Sequence, residues 1–417
     1  MALRDMISAR LPAFGLIGLV AWGIAFYFAK RLYFFDLDRL SGIHVTRQVL
    51  IGRDFVNVWT GGTLARLGDV GVLYDVQAYR FILHRALELS GIYAYSYPPH
   101  TLLIAVPFGL FSYPVALALW TAGGAALFAH AARPYLARVG LPAAITLLLP
   151  ASLVNIWAGH YGFLIGALGL YGWRWLDENP KRAGIMFGIM TFKPHLGVLI
   201  ALVLVLRREW MAAAWAAGTT LALALLSGAL FGFDLWPTYV LKMLLFQADL
   251  FTDEVTRSFH HMMPTTSAAI LLLGYSETTA KVWQAASALV ALGTVVEAVR
   301  RRVDTLDIGL IASTAVFLVV PYAFNYDMTV VSLAALIYLA RLASFPPCWE
   351  RFAMQLVFST GMVLPLVLPW LGKQHFVIGP AVLALMIGGQ LWIAMGRTRF
   401  PFKLPNWRYV VRQRLRV

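Results

Sequence analysis

The chain has 417 residues, 60% of them hydrophobic and only 13% charged, with a formal net charge of +14 and one cysteine, Cys348. Soluble domains carry roughly 45–50% apolar and about 25% charged residues, so a soluble globular protein is excluded. A lone cysteine excludes an intramolecular disulfide. Apolar stretches of about 20 residues, the length that spans a hydrocarbon core, recur throughout. The ~10-residue alternation of a membrane barrel is absent, so the spans are predicted as helices. The first, 11–35, is too long for a signal-peptide core and ends without a small-residue cleavage site; it is expected to be a retained signal anchor.

The positive charge does not point to nucleic acid, because it falls in short clusters between apolar runs. These are Arg4/Arg10, Arg133/Arg138, Lys181/Arg182, Arg207/Arg208, Arg300/Arg301/Arg302 and Arg341/Arg351, followed by Arg397, Arg399, Lys403, Arg408, Arg412, Arg414 and Arg416. Placing all of them in the cytoplasm satisfies the positive-inside rule and forces two choices. The apolar run 98–111 must be a half-inserted or amphipathic helix on the outside. The segment between Lys181/Arg182 and Arg207/Arg208 must go out and return, as two short helices broken at Lys193-Pro194, where proline removes a backbone donor. The expected map has about twelve crossings with both termini cytoplasmic. They lie near 11–33, 114–132, 141–156, 161–176, 183–192, 196–206, 210–231, 265–299 (one crossing plus a re-entrant piece), 307–322, 328–343, 352–370 and 376–395. This makes one all-α polytopic domain over 1–396, with large outer segments 36–111 and 232–264, and a basic tail 397–417 drawn to the anionic cytoplasmic leaflet. On this map eight of the nine histidines (His44, His84, His100, His160, His195, His260, His261 and His375) reach the outer face, and only His130 does not.

The first outer segment contains Gly52-Arg53-Asp54-Phe55-Val56-Asn57-Val58-Trp59-Thr60-Gly61-Gly62. Residues 54–66 are predicted as an interfacial helix opened by Asp54, either as an ordinary cap or as a functional carboxylate. Asp36-Leu37-Asp38, at the end of the first span, is expected to be a solvated cap rather than a metal pair. Lys193 interrupts an apolar segment beside Pro194 and His195, and a cation at bilayer depth faces a cavity and pairs with something. Two readings stand for it: an anion such as a lipid phosphate, helped by the free amides after Pro194, or a carboxylate such as Asp54 or Asp327. Gly159-His160-Tyr161-Gly162, with Asn155 one turn earlier, is predicted as a tight outer hairpin. Pro321-Tyr322-Ala323-Phe324-Asn325-Tyr326-Asp327 is another, with Asp327 capping the next helix or acting in catalysis. His260 and His261 are adjacent and cannot share a helix face, so no metal site is expected there.

In this order, Asp54-Phe55, Trp59, Gly61, Leu64-Ala65, Gly68, Leu73-Tyr74-Asp75, Tyr97-Pro98-Pro99, Gly159-His160, Phe192-Lys193-Pro194-His195 and Tyr326-Asp327 resemble glycosyltransferase family 87, from the first span to about residue 345. That family uses polyprenyl-phosphate sugars and includes mycobacterial α-1,2-mannosyltransferases. The resemblance implies a GT-C fold with an outward-facing site, and a first-loop aspartate as base, which maps onto Asp54. Glutamine is common in the family where His160 and His195 stand, and some members carry histidine near Asp327. These departures bear on the acceptor and on the phosphate ligands.

The expected protein is therefore an integral cytoplasmic-membrane hexosyltransferase of the cell envelope, with its site facing the periplasm or exterior. It moves one mannose-like sugar from a polyprenyl phosphate to a lipid or glycan hydroxyl, with inversion. Lys193, His195 and His160 are the candidates for the donor phosphate. Tyr97, Trp59, Asn325, Tyr326, Asp327, His260 and His261 are the candidates for other substrate contacts; Trp59, Tyr95 and Tyr97 either stack on a sugar or anchor the loop. No cofactor is expected, and metal independence follows if a protein cation already meets the phosphate. The alternatives are a transporter or flippase, a polymerase or ligase of lipid-linked glycans, and a non-catalytic assembly subunit. A transporter would be expected to show repeats or mid-membrane carboxylates, and neither is evident in the sequence.

Overall fold

The computed structural model describes residues 3–243, 256–345 and 348–396, and within them the protein is nearly all-α. The tail 397–417 and part of the outer segment 232–264 lie outside the described residues. α1 (Leu3–Leu37) leads into a small antiparallel hairpin of β1 (His44–Thr46) and β2 (Val49–Leu50), followed by α2 (Phe55–Leu67) and α3 (Val76–Leu87). Next comes a strap of 3-10 turns around α4 (Leu102–Ala105). Pro98, Pro99 and Pro107 each lack an amide and keep it from becoming one continuous helix, and residues 99–110 are too few to cross a bilayer.

α5 (Tyr113–Ala137) is followed by the hairpin of α6 (Pro150–Ala158) and α7 (Gly162–Trp175), turned at Gly159 with φ 62°. α8 (Pro180–Ile189), α9 (Val198–Leu206), α10 (Trp210–Phe231) and the short α11 (Leu235–Thr238) come next. The chain closes with α12 (Thr266–Leu272), α13 (Glu277–Arg300), α14 (Thr305–Val319), α15 (Thr329–Arg341), α16 (Trp349–Lys373) and α17 (Gly379–Ala394). Among the described residues four helices, α5, α10, α13 and α16, are each long and apolar enough to cross a membrane, and shorter apolar helices accompany them. α16 is mostly buried, whereas α10 turns Leu221, Leu225, Leu226 and Leu230 outward. An apolar surface of this kind suits a membrane protein.

Two close crossings depend on glycine. On α8, a Cβ at Gly184 would sit 2.4 Å from the Ala212 carbonyl oxygen, and one at Gly188 2.7 Å from that of Ala216, so this four-residue spacing lets α10 lie directly against α8. Under the strap, a Cβ at Gly62 would lie 2.1 Å from the Ala105 carbonyl oxygen, with backbone on both sides of the clash. Gly62→Ala is expected to cost about 1–3 kcal/mol through overpacking, read as a lower melting temperature of the purified protein. Gly123→Ala, where nothing lies within 4 Å, is the neutral control.

Helix ends alternate between two faces. At one, ion pairs staple the bundle: Arg138–Asp304 at 2.7 Å, Arg207–Asp177 at 2.6 Å and Arg341–Asp307 at 2.7 Å. At the other, the long first loop, the α6–α7 turn, the α8–α9 break and the α14–α15 turn converge.

Candidate functional site

Asp54 occupies the N-cap position of α2, as predicted, but with φ −71° and ψ −14° its side chain makes no capping bond. The ordinary-cap reading is thereby corrected. Among the described residues no hydrogen bond or ion pair engages the carboxylate, and its backbone amide donates to the Ala158 carbonyl at 3.1 Å. Part of its surface stays accessible, yet enough protein encloses the carboxyl that burial pushes its pKa up to about 6. The nearby Lys193 and Arg53 cations oppose that rise, and Asp327 adds to it.

Lys193 breaks the helix with φ −132° and ψ 77°, where the apolar segment meets Pro194. Its ammonium is buried and donates to Asp327 Oδ1 at 2.6 Å, so the carboxylate-partner reading holds, with Asp327 and not Asp54 as the partner. Nζ also lies 5.1 Å from the centre of the Tyr326 ring. Asp327 does not cap α15; Met328 occupies that position and makes no side-chain cap. The buried lysine competes for the carboxylate and wins, because an unpaired cation there is far costlier than an uncapped helix.

His160 is fixed at both nitrogens. The Tyr161 amide donates to Nδ1 at 2.7 Å, which puts the proton on Nε2, and Nε2 then donates to the Tyr97 hydroxyl at 2.9 Å. Its ring stacks on Tyr326 at 4.0 Å, and Nδ1 is 4.0 Å from Asp327 Oδ1. Asn325 donates to the Pro365 carbonyl of α16 at 2.7 Å. That carbonyl is left open because its helical partner would be Pro369, which has no N–H. Among the described residues, Asp327 Oδ2, His195 Nε2, Asn325 Oδ1 and Asn155 Oδ1 are buried without a hydrogen-bond partner. Each costs about 1–3 kcal/mol when left unsatisfied, so their gathering marks a place built to receive a ligand. A cavity of about 160 Å³, walled by Leu119, Leu127, Phe163 and Leu164, reaches Asn155 and His160.

The structure thus brings Asp54, Lys193, Asp327, His160, Tyr97, Tyr326 and Asn325 together, with His195 beside Tyr322, their ring centres 6.1 Å apart. Trp59 is held elsewhere: its indole donates to the Phe111 carbonyl at 3.0 Å, which ties α2 to the end of the strap. His260 and His261 lie in a 3-10 turn seated on α16, where Gly372 leaves room for the His261 backbone. Asp36 is a correction. It is not a solvated cap but is buried and held in a two-pronged ion pair with Arg53, which also lies 3.5 Å over Trp157. Sequence reasoning also missed His100, whose ring stacks on Trp236 and whose Nε2 lies 3.2 Å from Thr191 Oγ1, joining the strap to the Lys193 break.

A helical membrane protein that gathers, among its described residues, a carboxylate without a hydrogen-bond partner, a buried cation and orphaned polar atoms has the equipment of a membrane enzyme acting on a polar group. The family model described as glycosyltransferase family 87 matches residues 95–321, more than half of the chain. The chain belongs to glycosyltransferase family 87 and is a glycosyltransferase. The matched region holds Tyr97, His160, Lys193, His195, His260 and His261, while Asp54, Trp59 and Asn325–Asp327 lie outside it. No curated protein and no solved structure matches the chain.

Proposed function

We propose that the enzyme transfers a single mannose-like hexose from a polyprenyl phosphate to the hydroxyl of a lipid or glycan, at the outer face of a cytoplasmic membrane. The observation that carries the reading is the free Asp54 carboxylate placed within electrostatic reach of the buried Lys193–Asp327 pair. Asp54 takes the proton from the acceptor hydroxyl as that oxygen attacks the anomeric carbon. The bond from that carbon to the phosphate oxygen breaks, and its electron pair stays on the phosphate. A single displacement inverts the anomeric centre. General-base help of this kind contributes about 10²–10⁴-fold. Lys193 neutralises the charge growing on the leaving phosphate, and His195, with Nε2 open, supplies a further contact. His160 joins that set only by exchanging Tyr97 for a phosphate oxygen.

Asp327, Asn325 and Asn155 offer acceptors for sugar hydroxyls, with Tyr97 and Tyr326 as the aromatic walls and His260, His261 and Trp59 farther out. The apolar cavity beside His160 suits part of the donor's hydrocarbon chain. With a lysine at the phosphate, the step proceeds without a divalent ion. The same reading takes the bundle as GT-C type, one domain over 1–396 with about twelve crossings, both termini and the 397–417 tail cytoplasmic, and the outer segments 36–111 and 232–264 on the site's side.

The test is transfer by purified protein in nanodiscs, fed radiolabelled polyprenyl-phosphate sugars and a membrane lipid extract, with and without EDTA. The expected result is a product longer by one sugar, formed equally in EDTA. Transfer of whole oligosaccharides would make the enzyme a polymerase or ligase. Donor left unconsumed across mannose, glucose and arabinose would remove polyprenyl-phosphate sugars as the substrate class.

A further inference from the structure

Among the described residues Asp54 is the one charged group at the centre of the site that no side chain holds, so its direction is set through the backbone. Arg53 stands next to it in the left-handed region at φ 37°, a conformation that is strained for a non-glycine residue unless its surroundings hold it. They do so at three points. Both terminal guanidinium nitrogens donate to Asp36 at the end of α1, Nη2 to Oδ1 at 2.7 Å and Nη1 to Oδ2. The flat face of the guanidinium rests 3.5 Å over Trp157 of α6. The following amide, that of Asp54, is bonded to Ala158 of the same helix. Gly159 completes the seat, since a Cβ there would stand 2.6 Å from the Gly52 carbonyl oxygen and 2.7 Å from Phe55 Cβ.

We propose that Asp36, Arg53 and Trp157 form a clamp that aims the Asp54 carboxylate, with Arg53 as a positioning residue and not a phosphate ligand. The proposal rests on Asp54 being the base. With one carboxylate across its fork and one ring against its face, the guanidinium is committed to the protein. Arg53 therefore sets the turn geometrically and also lends its charge to the neighbouring carboxylate. The other charges that act on Asp54 are Lys193 at the α8–α9 break and Asp327 at the α14–α15 turn. The phenols of Tyr93, Tyr97, Tyr113, Tyr322 and Tyr326 also surround it, and burial keeps them neutral through the range of an assay.

The experiment measures kcat, donor KM and the pH profile of sugar transfer for Arg53→Met, Arg53→Lys, Asp36→Asn and Asp54→Asn, alongside folded yield. Arg53→Met is expected to lower kcat by up to about 10²-fold, the scale of a 1 Å misplacement, with donor KM unchanged. It also moves the acid limb to higher pH, because a cation that favours the Asp54 anion is gone. Arg53→Lys keeps the charge but loses the fork, so kcat falls while the limb stays in place. Asp36→Asn lowers kcat in the same way. The clamp is overturned if Arg53→Met leaves kcat intact, if it raises donor KM alone, or if activity falls only in step with folded yield and the limb does not move. If Asp54→Asn itself transfers normally, it is the base assignment that fails.

Discussion

Asp54→Asn is expected to lower sugar transfer by about 10²–10⁴-fold while folded yield and donor binding stay at wild-type levels. The structure makes this a clean substitution. The carboxylate caps nothing and pairs with nothing among the described residues, so the isosteric amide leaves no partner stranded. The variant also tests the pH dependence. A base must be deprotonated to act, and burial lifts the Asp54 carboxyl to about 6. Wild-type kcat/KM is therefore expected to be full above that value and to fall tenfold per pH unit below it. Transfer by Asp54→Asn at the wild-type rate, or a wild-type profile flat from pH 5 to 8, would take the base role away from Asp54.

Lys193→Ala carries the second large effect, and its stability and activity components separate. Removing the ammonium leaves Asp327 as an uncompensated buried carboxylate, a loss of about 3–5 kcal/mol for a buried pair. Folded yield and melting temperature should drop sharply. In the double variant Lys193→Ala/Asp327→Asn no buried charge is left alone, so most of the folded protein should return. On the proposed mechanism transfer should not return, because the cation that meets the leaving phosphate is gone. Asp327→Asn alone separates the roles of the two residues: it strands Lys193 in the protein but leaves a cation for the phosphate to meet. If the double variant folds and transfers at the wild-type rate, Lys193 is only half of a structural pair.

What the sequence discloses about this site follows a physical pattern. Lys193 is legible because it breaks a local rule, a cation inside an apolar run, whereas Asp54 is legible only as a carboxylate at a helix start, which leaves cap and catalysis both open. The hairpins at Gly159 and Asn325–Asp327 are legible because glycine and the end of an apolar run mark turns. The strap is legible because charge placement on either side leaves it no room to cross. The partners are legible only in part: Asp327 is one of two carboxylates the sequence offers for Lys193, whereas nothing in it offers Arg53 for Asp36. Asp36 and Arg53 are 17 residues apart, and Lys193 and Asp327 are 134 apart. Nothing local tells a solvated carboxylate from one held under a guanidinium. Asp327 illustrates this: the start of a helix is where a cap is expected, and only packing brings a buried lysine close enough to claim it. Trp59 illustrates the reverse, since an aromatic residue in an outer loop suits a sugar until its indole is seen bonded to Phe111.

The distance between Lys193 and Asp327 along the chain also bears on how the protein is made. Synthesis proceeds from the N-terminus at about 5–20 residues per second, so on the order of ten seconds separates the lysine from its carboxylate. Over that interval the α8–α9 pair carries a cation with nothing to neutralise it in the apolar interior. Asn325, two residues before Asp327, donates to the Pro365 carbonyl, still farther along. The Lys193–Asp327 pair and the neighbouring Asn325–Pro365 bond close only after α14, α15 and α16 have been made, so a chain stalled or truncated before α16 contains most of its helices and an incomplete candidate site.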